Sequence, residues 1–192
     1  MRTHQFIYYI FITIIFSTVN SYSNDEIISL IENEWNNTKS LSGNFIQIDQ
    51  ASNEEKGKFY IQKPYKSFFK YNEKNEHIIT GRFLLHIVND NKFEIESYPI
   101  HGNPLKNILK ENLNIKENID IINFEENNSH YIITTNSESD EQIVKLFFDI
   151  ESFTLKKWEI LDEFNQKTSL EFTNILKNIF IDLNKFSVRY NN

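Results

Sequence analysis

Residues 57–64 read Gly57-Lys58-Phe59-Tyr60-Ile61-Gln62-Lys63-Pro64. Phe59 and Ile61 alternate with Lys58, Tyr60 and Gln62. A period of two belongs to a strand with one apolar and one polar face. The alternation recurs as Val144, Leu146 and Phe148 against Lys145, Phe147 and Asp149. It returns as Trp158 and Ile160 against Lys157, Glu159 and Leu161, and as Leu170 and Phe172 against Ser169, Glu171 and Thr173. Working outward, strand-length segments are predicted at 41–49, 57–62, 67–71, 76–80, 83–88 and 92–98, and again at 120–124, 130–136, 143–149, 155–161 and 168–175. Their connections are short and polar, as in Asn72-Glu73-Lys74-Asn75 and Asn89-Asp90-Asn91. Such spacing predicts antiparallel hairpins rather than parallel crossovers. In Asp162-Glu163-Phe164-Asn165, Asn165 is placed to take the left-handed conformation that closes a hairpin.

Two helical stretches interrupt this pattern. Ile27, Ile28, Ile31 and Trp35 recur at helical spacing; Asn24 or Asp25 is the expected cap, and Asn36-Asn37 the expected end. Pro104 opens a second helix in which Leu105, Ile108 and Leu109 share a face, with Leu113 and Ile115 as its expected extension. Eleven strands are too many to remain flat, so the sheet is expected to curl toward a barrel, with the amphipathic helices covering the concave side. The predicted class is mainly β (α+β). The shared phase places Phe59, Ile61, Phe69, Leu146, Phe148, Trp158, Ile160, Leu170 and Phe172 on that side. Counting on by twos from Phe59 and Ile61 puts Lys63 there too. A charge beside an apolar compartment is costly unless paired or hydrogen-bonded, so Lys63 is expected to donate to carbonyls of the covering lid or to a carboxylate.

Composition narrows the function classes. The 192-residue chain has a formal net charge of −7, four glycines, three prolines, no cysteine and 15% aromatic residues. Without cysteine there is no disulfide scaffold, thiol nucleophile or lipid-modified cysteine. An acidic chain without clustered Lys/Arg does not fit nucleic acid. Arg2, the apolar run Phe6 to Phe16 and the small or polar residues up to Ser23 read as an export signal, since the run is shorter than the ~20 residues a spanning helix needs. The expected division is residues 1–23 as signal, with Ser21 the rival cleavage point, and residues 24–192 as one domain. The expected location is the periplasm.

Several motifs resemble, in order, those of the periplasmic outer-membrane lipoprotein carrier family, LolA. Phe45-Ile46-Gln47 is similar to its Phe-x-Gln, and residues 57–64 to its Gly-x-Phe-x-x-x-Arg-Pro, with Phe69-Lys70-Tyr71 as the aromatic strand that follows. Ile78-Ile79-Thr80-Gly81 resembles its Asp-Gly hairpin, and Pro104-Leu105 with Leu109 its short helix. Leu155, Trp158, Asp162 and Thr168 resemble its Leu-x-x-Trp-x-x-x-Asp…Thr hairpin, and Phe186 its terminal Phe. Three positions depart from the pattern: Lys63 replaces the arginine, Thr80 the Asp before the hairpin glycine, and Asn165 a glycine. The resemblance implies an unclosed barrel with a helical lid over an apolar cavity. It implies that the nine apolar residues line a lipid site, that Leu105, Ile108 and Leu109 form the lid, and that Lys63 acts in release. The implied partners are acylated lipoproteins and an inner-membrane ABC-type exporter, with an outer-membrane receiver of unassigned identity. The implied protein is a monomer with no cofactor, metal or catalysis.

Two other classes stay open on sequence. A lipid-processing hydrolase is one, although no Gly-x-Ser-x-Gly is present and His77, His86, His101 and His130 form no His-Glu-x-x-His pattern. A binding protein of the same curled-sheet type for another lipid is the other.

Overall fold

A computed structural model describes residues 22–92, 94–100, 104–136 and 142–188, with the backbone alone at 104, 105 and 118. The expected signal segment, except for its last two residues, lies outside the described residues, as do His101 and the side chain of Leu105. Among the described residues no helix is long and apolar enough to cross a membrane.

Helix α1 (Asn24–Asn37) is followed by β1 (Ser40–Ile48), β2 (Glu54–Gln62), β3 (Lys66–Tyr71), β4 (Glu76–Thr80), β5 (Leu84–Asn89) and β6 (Glu94–Pro99). After α2 (Pro104–Ile108) and α3 (Ile115–Asn118) come β7 (Ile121–Glu126), β8 (His130–Asn136), β9 (Ile143–Asp149), β10 (Leu155–Leu161) and β11 (Lys167–Lys177). A 3₁₀ turn at Leu183–Phe186 follows. The strands form one antiparallel sheet in the order β6-β5-β4-β3-β2-β1-β11-β10-β9-β8-β7. Two meanders meet where the first strand pairs with the last, and the sheet does not close. Its free edges are β6 and β7, which the α2–α3 insertion connects.

The apolar stripe of α1 is buried at all four expected positions, Ile27, Ile28, Ile31 and Trp35. The cap is not Asn24 or Asp25 but Ser23. Its hydroxyl accepts from the Glu26 N–H at 3.3 Å, and the Glu26 carboxylate accepts from the Ser23 N–H at 2.8 Å, which makes a reciprocal capping box. The expected single helix after Pro104 is likewise two. α2 stops at Ile108, and Asn114 opens α3 by accepting from the Glu117 N–H. A new cap costs less than running a helix through residues whose backbone groups are held by α1, as described below.

The helices lie on one face of the sheet. Buried side chains of α1, α2, α3, β1, β2, β3, β8, β9, β10 and β11 form a single apolar cluster there. The opposite face is mostly polar, apart from a patch where the 3₁₀ turn packs on β3 and the Lys185 ammonium sits 4.1 Å from the Tyr60 ring centre. Asn165 takes its expected left-handed conformation, φ 58°.

Gly57 is the position that lets the apolar face close up. It pairs directly with Phe45, whose ring lies over it and meets Phe69 and Tyr71 edge-on at 5.5 and 5.2 Å. A β-carbon on Gly57 would collide with the Phe45 ring and the Lys70 carbonyl. Gly57→Ala should therefore destabilise the fold by about 1–3 kcal/mol through overpacking. Urea unfolding should show a lower midpoint; an unchanged midpoint would mean that Phe45 has another rotamer available.

Candidate functional site

The nine apolar residues singled out by their alternation share the helix-covered face. The register accounts for this. Phe59 pairs with Phe69, Trp158 with both Leu146 and Leu170, and Ile160 with Val144, and directly paired residues project to the same side. Seven of the nine are buried, while Trp158 and Ile160 are half-buried and packed against the others. Their rings form a continuous aromatic layer across five strands. Phe172 lies 4.7 Å from Phe59 and meets Trp158 edge-on at 5.0 Å. Phe59 stacks on Phe69 at 6.0 Å, and Phe45 extends the row to Tyr71.

Between this layer and α1 there is a void of ≈10 Å³, lined by Trp35, Leu41, Phe59, Ile61, Leu155, Phe172 and Ile175. That is about the space of one water, whereas pockets for lipid-sized ligands run to ~300–1,000 Å³. At this corner the aromatic layer is packed directly against α1, and a larger apolar group could enter there only if α1 moved.

Four of these lining residues escaped the sequence reading. Leu41 was legible, since it is in phase with Phe45. Ile175 was not. Asn174 adopts φ 52° where the β1–β11 register shifts, and this bulge turns Ile175 toward the face that plain alternation assigns to Asn174. Trp35 and Leu155 read only as core positions.

The cover is held by polar ties from α1. The Trp35 indole N–H donates to the Ile108 carbonyl at 2.8 Å in a buried bond. The Asn36 amide donates to the Leu113 carbonyl at 2.9 Å and accepts from the Leu113 N–H at 2.8 Å. The Glu32 carboxylate accepts from the Ile115 N–H. On the sheet side, the Tyr65 N–H donates to the Leu109 carbonyl at 2.8 Å. Ile108 and Leu109, two of the three expected lid residues, are buried against the cluster. These ties satisfy the backbone groups at the end of α2 and the start of α3, which would otherwise be orphaned.

Lys63 points to the same face and is 7% exposed. Its ammonium donates to the Trp35 carbonyl and lies 5.1 Å from the Trp35 ring centre. Its partner is therefore not the α2 lid, as expected, but the C-terminal turn of α1. That turn presents the negative end of the helix dipole, and the Trp35 carbonyl, which already accepts from the Thr38 N–H at 3.1 Å, takes Lys63 as a second donor. Through Trp35, whose indole holds the Ile108 carbonyl, Lys63 is linked to the insertion. Burial, reinforced by repulsion from Lys39 and opposed by Glu111 on the insertion, pushes the Lys63 pKa down to about 8.

Among the described residues no cluster of His, Asp or Glu could hold a metal ion. His86 bonds Ser97 and His77 faces Asp90, both away from the aromatic layer.

A family model for the outer membrane lipoprotein carrier protein LolA matches residues 36–189. The chain belongs to that family. No curated protein matches its sequence. The fold is similar to that of an uncharacterized conserved protein from Thermus thermophilus, with 8% identity, a TM-score of 0.54 and coverage of 88% of this chain and 95% of that one. It is also similar to MucB, with 9% identity, a TM-score of 0.50 and coverage of 88% of this chain and 64% of that one. A LolA superfamily protein from Nitrosomonas europaea aligns over 88% of this chain and 99% of its own, with 10% identity and a TM-score of 0.48.

The depressed pKa of Lys63 has a defined consequence for stability. Between about pH 8 and the ordinary lysine range the unfolded chain binds the proton and the folded chain does not, so stability should rise with pH across that window. Below pH 8 both states are protonated and the contribution is constant. Comparing urea midpoints of the parent and Lys63→Met between pH 7.5 and pH 10 isolates it. The parent should gain relative to the variant as pH rises; parallel profiles would mean that the ammonium is not buried.

Proposed function

We propose that this protein is a carrier that shields the acyl chains of lipoproteins against its aromatic face and shuttles them from the inner to the outer membrane across the periplasm. The observation that carries the reading is the apolar face itself: an aromatic layer across five strands under a cover tied by a few directed hydrogen bonds. An acyl chain in water costs about 0.8 kcal/mol per CH₂, so a sixteen-carbon chain costs about 12 kcal/mol and requires a shield. The donor is an inner-membrane ABC-type exporter. The reading assigns no catalysis and no cofactor.

Lys63 fits a role in release. Its bond to Trp35 exists only when α1 lies on the sheet, so it favours the empty, closed state and helps expel hydrocarbon. Cargo that lifts α1 leaves the ammonium beside apolar surface without its carbonyl partner, which weakens retention.

Processing of the export signal bears on the same element. Cleavage after Ser23 would remove the cap of α1, whereas cleavage after Ser21 keeps the whole capping box. The exported protein should therefore begin at Tyr22, which an intact mass measurement decides; a start at Asn24 would mean that the box is dispensable.

The carrier reading is tested with a palmitoylated lipopeptide bearing a fluorophore, followed by a two-step assay that loads lipoprotein from inner membranes and unloads it to outer membranes. Trp158→Asp should lose lipopeptide binding while remaining folded by circular dichroism. Lys63→Leu should load normally and unload poorly. Because the chain has no cysteine, a spin label at position 107 and another at the exposed position 58 can be introduced cleanly, and their separation should lengthen on loading. Full lipopeptide binding by folded Trp158→Asp would overturn the reading, and normal unloading by Lys63→Leu would remove Lys63 from it.

A further inference from the structure

The hairpin turns of β1–β6 fall alternately at two ends of the sheet, and the two ends differ in chemistry. At one end lie residues 38–40, 62–66 and 80–84, which carry Lys39, Lys63, Lys66 and Arg82 and no carboxylate. At the other lie residues 48–54, 71–76 and 89–94, with Asp49, Glu54, Glu73, Glu76, Asp90 and Glu94 against only Lys74 and Lys92. The cationic patch is confined to the β1–β6 half of this end; the β7–β11 half of the same end carries Glu126, Asp149, Glu151 and Asp182.

The cationic end also exposes large apolar side chains. Phe83, at the tip of the β4–β5 turn, is 73% exposed, and Leu84 beside it and Tyr98 near the end of β6 are exposed as well. Phe180, just beyond the end of β11, is 93% exposed. Neither phenylalanine is covered by the described chain, although both could have been polar at no cost to the fold. The Arg82 guanidinium lies 5.5 Å from the Phe83 ring centre and 5.8 Å from that of Tyr65, and Lys39 is beside Phe180. Among the described residues no carboxylate is within ion-pair reach of Arg82. Exposed aromatic side chains with cations beside them, Arg82 at Phe83 and Lys39 at Phe180, match the boundary between headgroups and hydrocarbon of an anionic bilayer. This end also holds the Tyr65–Leu109 tie of the cover and the Lys63–Trp35 contact.

We infer that the end of the sheet carrying Arg82, Phe83 and Phe180 docks directly on anionic phospholipid membrane, and that docking brings the mouth of the acyl compartment to the bilayer surface. The inference rests on the carrier reading for its purpose but not for its test. Phe83 and Phe180 enter the interface, Arg82 and Lys39 meet lipid phosphates, and the acidic end faces away from the membrane. Acyl chains then pass between bilayer and compartment without crossing open water.

The experiment is sedimentation of the purified protein with phosphatidylglycerol vesicles and with phosphatidylcholine vesicles. Binding should favour phosphatidylglycerol and weaken as salt is raised. Each surface cation contributes about fivefold, so Arg82→Glu, which reverses the charge, should weaken binding at least fivefold. Phe83→Ser and Phe180→Ser should each weaken it by a comparable factor. Phe164→Ser is the control, since Phe164 is as exposed as Phe83, at 71%, but lies at the acidic end between Glu163 and Asn165; it should leave vesicle binding unchanged. Equal sedimentation with both lipids, or an equal loss in Phe164→Ser, overturns the inference. If this end serves a protein partner instead, vesicle binding is absent and the inference fails. Lipopeptide binding, measured without vesicles on the same samples, separates the two readings. Its loss in the parent protein would overturn the carrier, whereas its persistence without vesicle binding overturns only the docking.

Discussion

Trp35 joins the three parts of the molecule. Its carbonyl receives the Lys63 ammonium from β2, its ring lies beside that ammonium and lines the residual void, and its indole N–H holds the Ile108 carbonyl at the end of α2. The sheet forces such a junction. Eleven antiparallel strands with one apolar face cannot leave it in water, and among the described residues a fourteen-residue helix and a short insertion cover it. Neither could do so alone. α1 buries four side chains, the insertion buries Ile108, Leu109, Leu113, Ile115 and Ile119, and the polar groups of Glu32, Trp35 and Asn36 bind the two into one cover.

Under the carrier reading this construction would make binding a competition. Beside Trp35 the void has room for about one water, so a methylene entering there would displace a contact the protein already makes with itself. Net affinity would then be the difference between two apolar environments, far below the full transfer energy of an acyl chain. A carrier that must let go needs that property. The hydrogen bonds of the cover add direction: those between α1 and the insertion would survive if the two lifted as a unit, and only the ties of Lys63 to Trp35 and of Tyr65 to Leu109 would break.

Much of this was legible in the sequence because strand alternation is a short-range signal. All eleven strands, the shared face of Phe59, Trp158 and Phe172, and the inward direction of Lys63 follow from counting by twos. What failed were features set by contacts between distant segments. The break between α2 and α3 depends on Asn36 and Glu32 binding backbone groups 77 and 83 residues away. No local pattern distinguishes those two side chains from solvated neighbours. The inward turn of Ile175 depends on a left-handed Asn174, one of many asparagines in the chain. Lys63 was placed correctly but its partner was not, because the Trp35 carbonyl comes within its reach only once the end of α1 lies across β2. The cap at Ser23 was missed because that residue had been assigned to the signal.

The lysine at position 63, where the family pattern has arginine, now has a physical meaning. Arginine carries five donors in a rigid plane and keeps its charge at any accessible pH. Lys63 uses its ammonium on one carbonyl and one ring face, and burial brings its pKa to about 8. A guanidinium could span several carbonyls at the end of α1 and hold the cover strongly; a single ammonium holds it weakly and can lose its charge. The remaining hold must come from elsewhere, and the paired bonds of Asn36 to Leu113, with the Glu32 bond to Ile115, supply it at the far side of the insertion. The closing bonds thereby cluster at Glu32, Trp35 and Asn36 in the C-terminal half of α1 rather than resting on Lys63 alone, so losing the Lys63 bond would leave α1 and the insertion joined to each other.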